Sequence, residues 1–184
     1  MSEFASSSQD VNVLVVIDTE YIKKNYPNPS KNANYPTGIN HNSQFMLITG
    51  ARKIISGQGT ADLHFQANPG DDVSFTGISI YGNSDDAVIV YGIRPSKPQG
   101  LNVFNRFVPN LVTRNRAVMP DPQTTNGLPP LHQKITFAGY EAKVAQSGRE
   151  DFLVDIALYT LANDGNTQEL FGYFYWDPTI TVPG

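Results

Sequence analysis

The sequence predicts an all-β protein: a single-domain antiparallel β-sandwich, jelly-roll-like, with about eight or nine strands and two long loops. Three observations carry that expectation. Asn, Gly and Pro together supply 44 of 184 residues, a density of turn formers that suits short strands joined by tight connections. Charged residues make up only 16%, and no window repeats apolar residues at spacings of three and four over several turns, as an amphipathic helix requires. Several segments instead alternate apolar and polar residues with period two, which puts one strand face in a core and the other in water.

In chain order, residues 1–10 are small and polar and read as a flexible tail, leaving 11–184 as the domain. Val11 to Ile17 is a nearly all-apolar strand. Tyr21 to Asn42 is an irregular stretch, where Tyr26-Pro27 and Tyr35-Pro36 hold each tyrosine extended and favour a folded Ω-type loop. Gln44 to Thr49 is the next strand. In Ala61 to Ala67, Leu63, Phe65 and Ala67 alternate with Asp62, His64 and Gln66, the clearest half-buried pattern in the chain. Asn68-Pro69-Gly70-Asp71 then supplies a turn, and Val73 and Phe75 resume the alternation, predicting a β-hairpin. Ile78 and Ile80 fall out of phase with Val73 and Phe75, so a bulge at Gly77 is expected to turn the strand over. Asn83-Ser84-Asp85-Asp86 is the next turn, and Ala87 to Ile93 reads as an inner strand. Leu101 to Val108, Ile135 to Val144, Phe152 to Leu161 and Glu169 to Trp176 complete the set, with Pro120 to His132 as a second long loop. In Phe152 to Leu161 the alternation of Phe152, Val154, Ile156 and Leu158 outweighs a weaker helical pattern. Phe174 and Trp176 are expected in the core, with Tyr173 and Tyr175 on the opposite face.

Composition removes several function classes. With no cysteine there is no disulfide frame, thiol nucleophile, iron–sulfur cluster or Cys-based zinc site. A net charge of −4 opposes a phosphate-facing surface, so no nucleic-acid partner is expected. No apolar run approaches the ~20 residues that cross a bilayer as a helix, and the N-terminus lacks a signal-peptide pattern. Neither membrane insertion nor standard secretion is expected, and a cytoplasmic location is.

No catalytic residues, cofactor or metal site can be assigned. His41, His64 and His132 are scattered, Gly57-x-Gly59 reads as a plain turn, and no Ser, His and Asp set stands out as a triad. The ligand-binding candidates are Asp71, Asp72, Asn83, Asp85 and Asp86 in two acidic turns, and Tyr26 and Tyr35 in the first irregular stretch. Clustered carboxylates suit calcium and exposed rings suit sugars. Asp and Asn also suit turns by bonding to nearby backbone, and the two acidic turns bracket one strand, putting them ~25 Å apart at ~3.4 Å per residue. Arg114 and Arg116 alternate on a possible strand and face one way, as a solvated face or a partner patch.

The ordered motifs resemble the AidA/PixA family of bacterial inclusion-body proteins. The resemblance lies in Val13-Leu14-Val15-Val16-Ile17-Asp18-Thr19, Tyr26-Pro27-Asn28-Pro29-Ser30 and Ser56-Gly57-Gln58-Gly59-Thr60-Ala61-Asp62. It continues in Gly70-Asp71-Asp72-Val73-Ser74-Phe75, Asn83 to Tyr91, and Phe171-Gly172-Tyr173-Phe174-Tyr175-Trp176-Asp177-Pro178. It implies a non-catalytic protein under quorum-sensing control, linked to host association or virulence and able to accumulate in cytoplasmic inclusions. With 3 methionines the chain is closer to the AidA side than to the methionine-rich PixA side. A lectin-like carbohydrate-binding module, with or without calcium, is the alternative from the residues themselves. A self-assembling storage protein, a homo-oligomer joined through free strand edges, is the second.

Overall fold

The computed structural model describes residues 7–97 and 102–182. In chain order the elements are β1 (Asp10–Ile17), α1 (Thr19–Asn25), β2 (Thr37–Gly38), β3 (Gln44–Thr49), β4 (Lys53–Ser56), β5 (His64–Gln66) and β6 (Asp72–Ser79). They continue with β7 (Ala87–Pro95), β8 (Val108–Asp121), β9 (Gly127–Lys143), β10 (Gly148–Leu161), β11 (Gln168–Trp176) and β12 (Thr179–Val182). The protein is all-β, as predicted, with twelve strands among the described residues.

Two sheets enclose one core. The first runs β3-β1-β6-β9-β8; the second runs β2-β11-β10-β12-β5-β4, with β7 on the other edge of β10. From β1, Val11, Val13, Val15 and Ile17 point inward, joined by Met46 and Ile48 of β3 and Val73 and Phe75 of β6. They meet Val154, Ile156 and Leu158 of β10 and Phe174 and Trp176 of β11. Period-two alternation thus builds the core, each buried aliphatic or aromatic side chain contributing roughly 1.5–3 kcal/mol. Tyr173 and Tyr175 lie half-buried on the opposite face of β11, as the sequence predicts.

The pairing is not purely antiparallel. β1 lies parallel to β6, β11 to β2 and β12 to β5, so the long connections cross between sheets. The predicted hairpin at Asn68 to Asp71 is one such crossing. β5 belongs to the second sheet and β6 to the first, and the turn between them is a corner. The predicted face change at Gly77 does not occur. β1 and β6 keep unbroken register from Asp10↔Asp72 to Ile17↔Ser79, so Ser79 stays buried and Ile80 emerges into solvent. Gly77 is needed instead for close approach, since a Cβ there would sit 3.0 Å from Val90 Cγ2 and 3.2 Å from its backbone nitrogen.

Three further expectations change. The stretch Tyr21 to Asn42 contains most of α1 and all of β2; Asp18 caps the helix by accepting from the Tyr21 amide, and Thr19 and Ile22 are its buried residues. In the predicted strand Leu101 to Val108, Leu101 lies outside the described residues and 102–107 are irregular. Phe104 forms one bridge to Val144 while Val103, Phe104 and Phe107 plug the core. Ala87 to Ile93 is not an inner strand, because among the described residues β7 pairs only with β10 and Ile89 is exposed. Of the predicted tail, residues 1–6 lie outside the described residues; Gln9 already donates to Asp71 and Asp10 opens β1.

The largest departure is Pro120 to His132. It is not a loop but the far end of a two-stranded arm, β8 against β9, closed by a short turn at 122–126. β6 pairs with β9 only from Phe75↔Tyr140 to Asp72↔Lys143, so beyond Gly139 the arm leaves the sheet. From Gly139 to Gly127 it runs roughly 40 Å at ~3.4 Å per residue.

Candidate functional site

The acidic turns lie at opposite ends of β6, and of their five candidate side chains Asp71 and Asn83 accept from backbone amides. Asp71 is 0% exposed. Its Oδ1 accepts from the Gln9 amide at 2.9 Å and Arg52 Nη2 at 2.7 Å, and its Oδ2 from the Asn68 amide at 2.8 Å and Arg52 Nε at 3.1 Å. Burial pushes its pKa up, but the guanidinium and the two amides outweigh burial and hold it below the usual carboxylate value. Asp71 is therefore the pin of the corner between the two sheets, with all its contacts internal. Its neighbour Asp72 is half-exposed and faces Lys143 Nζ at 3.2 Å.

In the other turn, Asn83 has φ 63°, a conformation asparagine tolerates, and its Oδ1 accepts from the Ser79 and Val88 amides at 2.8 and 3.0 Å. Asp86 is 4% exposed and paired with Lys23 Nζ at 2.7 Å. Asp85 is exposed; its carboxylate accepts from the Ser84 hydroxyl and its backbone carbonyl from Gln168 Nε2. Asn83→Ala is expected to cost about 1–3 kcal/mol by orphaning two amides in a strained backbone, and Asp85→Ala about 0.5 or less. Urea unfolding of both variants checks the contrast.

The tyrosine loop is folded and pinned. Tyr26 turns inward, edge-to-face with Phe174 at 6.4 Å, and its hydroxyl accepts from the Asn40 amide. Tyr21 Oη accepts from the Asn40 and Asn42 side-chain amides. Tyr35 points outward at 76% exposure, so the structure does not join the two candidate rings into one platform.

Sequence reasoning missed a histidine clamp. His41 lies between Asp62 at Nδ1, 2.5 Å, and Asp177 at Nε2, 2.9 Å, tying three connections together across separations that leave no local signal. Burial lowers its pKa, but the two carboxylates more than offset this and the net shift is upward. A raised folded value makes this clamp's contribution complete below the unfolded histidine value of ~6.5 and lost as pH rises through the folded value. The thermal midpoint of the His41→Gln variant is thus expected to converge on wild type as pH rises above neutrality and to fall short of it at pH ~6.

On the outer face of the second sheet, Asp155 is held by Arg94 Nε at 2.8 Å and Nη2 at 3.1 Å. Here burial exceeds the guanidinium's pull and the carboxyl pKa is raised. Next to it a cleft of about 330 Å³ has Phe104, Phe107, Phe152 and Tyr140 in its wall with Arg94 and Arg106. Among the described residues no group of His, Asp or Glu converges as a metal site, and no helix is long and apolar enough to cross a membrane. What the surface does offer is apolar: Phe137, Met119 and Leu131 on the arm, and Leu14, Phe45 and Leu47 on the first sheet.

The family model described as PixA, inclusion body protein, matches residues 9–182. The chain belongs to the PixA inclusion body protein family. That span includes both sheets, the corner at Asp71 and the whole arm, so the PixA match covers the fold rather than one motif. The crystal structure of an inclusion body protein (PixA) from Burkholderia cenocepacia J2315 is similar at 32% identity and a TM-score of 0.81, covering 98% of this chain and 99% of that one. No curated protein sequence matches the chain.

Proposed function

We propose that this member of the PixA family is a non-catalytic protein that works by protein–protein association, with itself or with a host partner. It is made under quorum-sensing control, as in the AidA kind, is held in the cytoplasm or its inclusions, and serves host association or virulence. The observation that carries the proposal is how the polar groups are used. Asp71, Asp86, Asn83 and Tyr26 satisfy internal backbone or cationic partners, while apolar side chains stay exposed, among them Leu14, Phe45 and Leu47 on the first sheet and Phe137, Met119 and Leu131 on the arm. The inclusion-body description of the family and of the Burkholderia protein supports the association half of this proposal.

Two experiments test it. Cells grown with and without their diffusible signal are compared for abundance and distribution of the protein; the expected result is induction by signal, and constant abundance contradicts the regulatory half. A glycan panel probed with purified protein, with calcium and with chelator, is expected to be silent in both conditions. Saturable, calcium-dependent sugar binding would replace association with a lectin function and direct attention to Asp72, Asp85 and Tyr35, the exposed members of the candidate set.

A further inference from the structure

The arm is the part of the molecule whose surface the fold does not use. Strand β9 packs appreciably only on β8 once past its junction with β6 and a brush with β7, and the outer edge of β8 has no neighbouring strand among the described residues. A two-stranded ribbon alone in water is marginally stable at best, and its side chains gain burial only from a partner. Register assigns the faces. Val112↔Phe137, Arg114↔Ile135, Ala117↔Gln133 and Met119↔Leu131 share one face, which continues the outer face of the first sheet through Val108↔Glu141. That face bears an apolar stripe in which Phe137 is 52%, Met119 40% and Leu131 38% exposed. On the same outer face, over β1 and β3, Leu14 and Leu47 border a shallow depression of about 310 Å³ with Asn12, Thr49 and Thr76. Phe45, exposed two residues before Leu47, extends it.

Charge selects the occupant. Asn110 to Ala138 carries Arg114, Arg116 and Lys134 against a single Asp121, so the arm is net +2; the rest of the chain keeps ten cations and sixteen carboxylates, net −6. A basic arm and an acidic body on the same chain are complementary between copies. Pairing of β8 with β8 of another copy about Asn115 would set arginines against arginines, which is unfavourable across strands. We infer that the β8–β9 arm lays its Phe137, Met119 and Leu131 face across the Leu14, Phe45 and Leu47 face of a second copy of this chain and receives that copy's arm in return. Reciprocal exchange makes the contact isologous and closed, with two outer faces stacked as in sheet-on-sheet packing. The inference rests on the association function proposed above and names its partner.

The absence of cysteine makes the test clean. Met119→Cys and Leu47→Cys proteins are purified separately and then mixed under mild oxidation. The expected result is a disulfide-linked dimer abundant in the mixture and weak in either protein alone. Phe137→Asp with Met119→Asp is expected to weaken dimerisation by about tenfold or more, with the circular dichroism spectrum unchanged because both positions are exposed. Equal cross-linking in the mixture and in the single variants, or unchanged dimerisation of the Asp variant, overturns the arm exchange while leaving association through another surface. A wild-type chain that stays monomeric at every concentration removes both.

Discussion

Replacing Asp71 with Ala is expected to destabilise the protein by about 3–5 kcal/mol, a large share of the 5–15 kcal/mol typical of a folded domain. The substitution leaves the largely buried Arg52 side chain without its counter-ion and deprives the Gln9 and Asn68 amides of their acceptor. These contacts fasten the start of β1, the corner before β6 and the connection before β4, so their loss is expected to loosen both sheets together. Asp71→Asn keeps the shape and part of the hydrogen bonding and should lose less. The pH dependence has a definite sign. Because the folded pKa of Asp71 is lowered, its contribution is present above the unfolded value of ~3.9 and is lost as pH falls through the folded value. Asp155 works the other way: its raised value makes the folded state lose stability as pH rises from the unfolded toward the folded value. Urea unfolding of wild type and Asp71→Asn between pH ~3 and ~6 is expected to show a steeper acid loss in wild type.

The second large effect lies at the end of β11. Trp176 is 1% exposed and fills the core, and its Nε1 donates to the Ala61 carbonyl at 3.2 Å. Trp176→Ala is expected to cost about 3–5 kcal/mol from lost burial and the cavity left behind. Trp176→Phe keeps most of the volume but orphans the carbonyl, for a smaller cost of about 1–3 kcal/mol. Denaturant midpoints of the two variants separate packing from hydrogen bonding. If Trp176→Ala unfolds at the wild-type midpoint, the enclosure of the core by β11 is wrong.

The parts of the fold legible in the sequence were those decided by local alternation. β1, β3, β10 and β11 bury Val, Ile, Met, Phe and Trp at every second position, and a period of two survives whatever the neighbouring strand is. Partner choice is not local, which is why the turn at Asn68 to Asp71 is rightly a turn and wrongly a hairpin. Its partner, Arg52, lies nineteen residues upstream. The arm was hidden by Pro120, Pro122, Pro129 and Pro130, which ordinarily exclude a strand interior. They are accommodated because they fall at the tip, around the register shift between Met119 and Asp121, where few ladder bonds are demanded. Helix α1 did leave a signal, Asp18 as cap with Glu20 early and Lys23 and Lys24 late, but seven residues are too few to show a period.

The candidate site was legible only in part, for a related reason. Residue type marked Asp71, Asp86 and Asn83 as polar groups in need of partners. Whether those partners are ligands or backbone amides depends on burial, which turn chemistry alone does not report. The His41 clamp draws on three distant segments, and the stripe of Phe137, Met119 and Leu131 is visible only once the arm is known to be paired.

The most direct measurement of the central claim is sedimentation velocity of the purified wild-type chain over a wide concentration range, at low and high salt. A monomer–dimer equilibrium that weakens as salt rises is expected from a basic arm resting on an acidic body. A single monomeric species at all concentrations would contradict it.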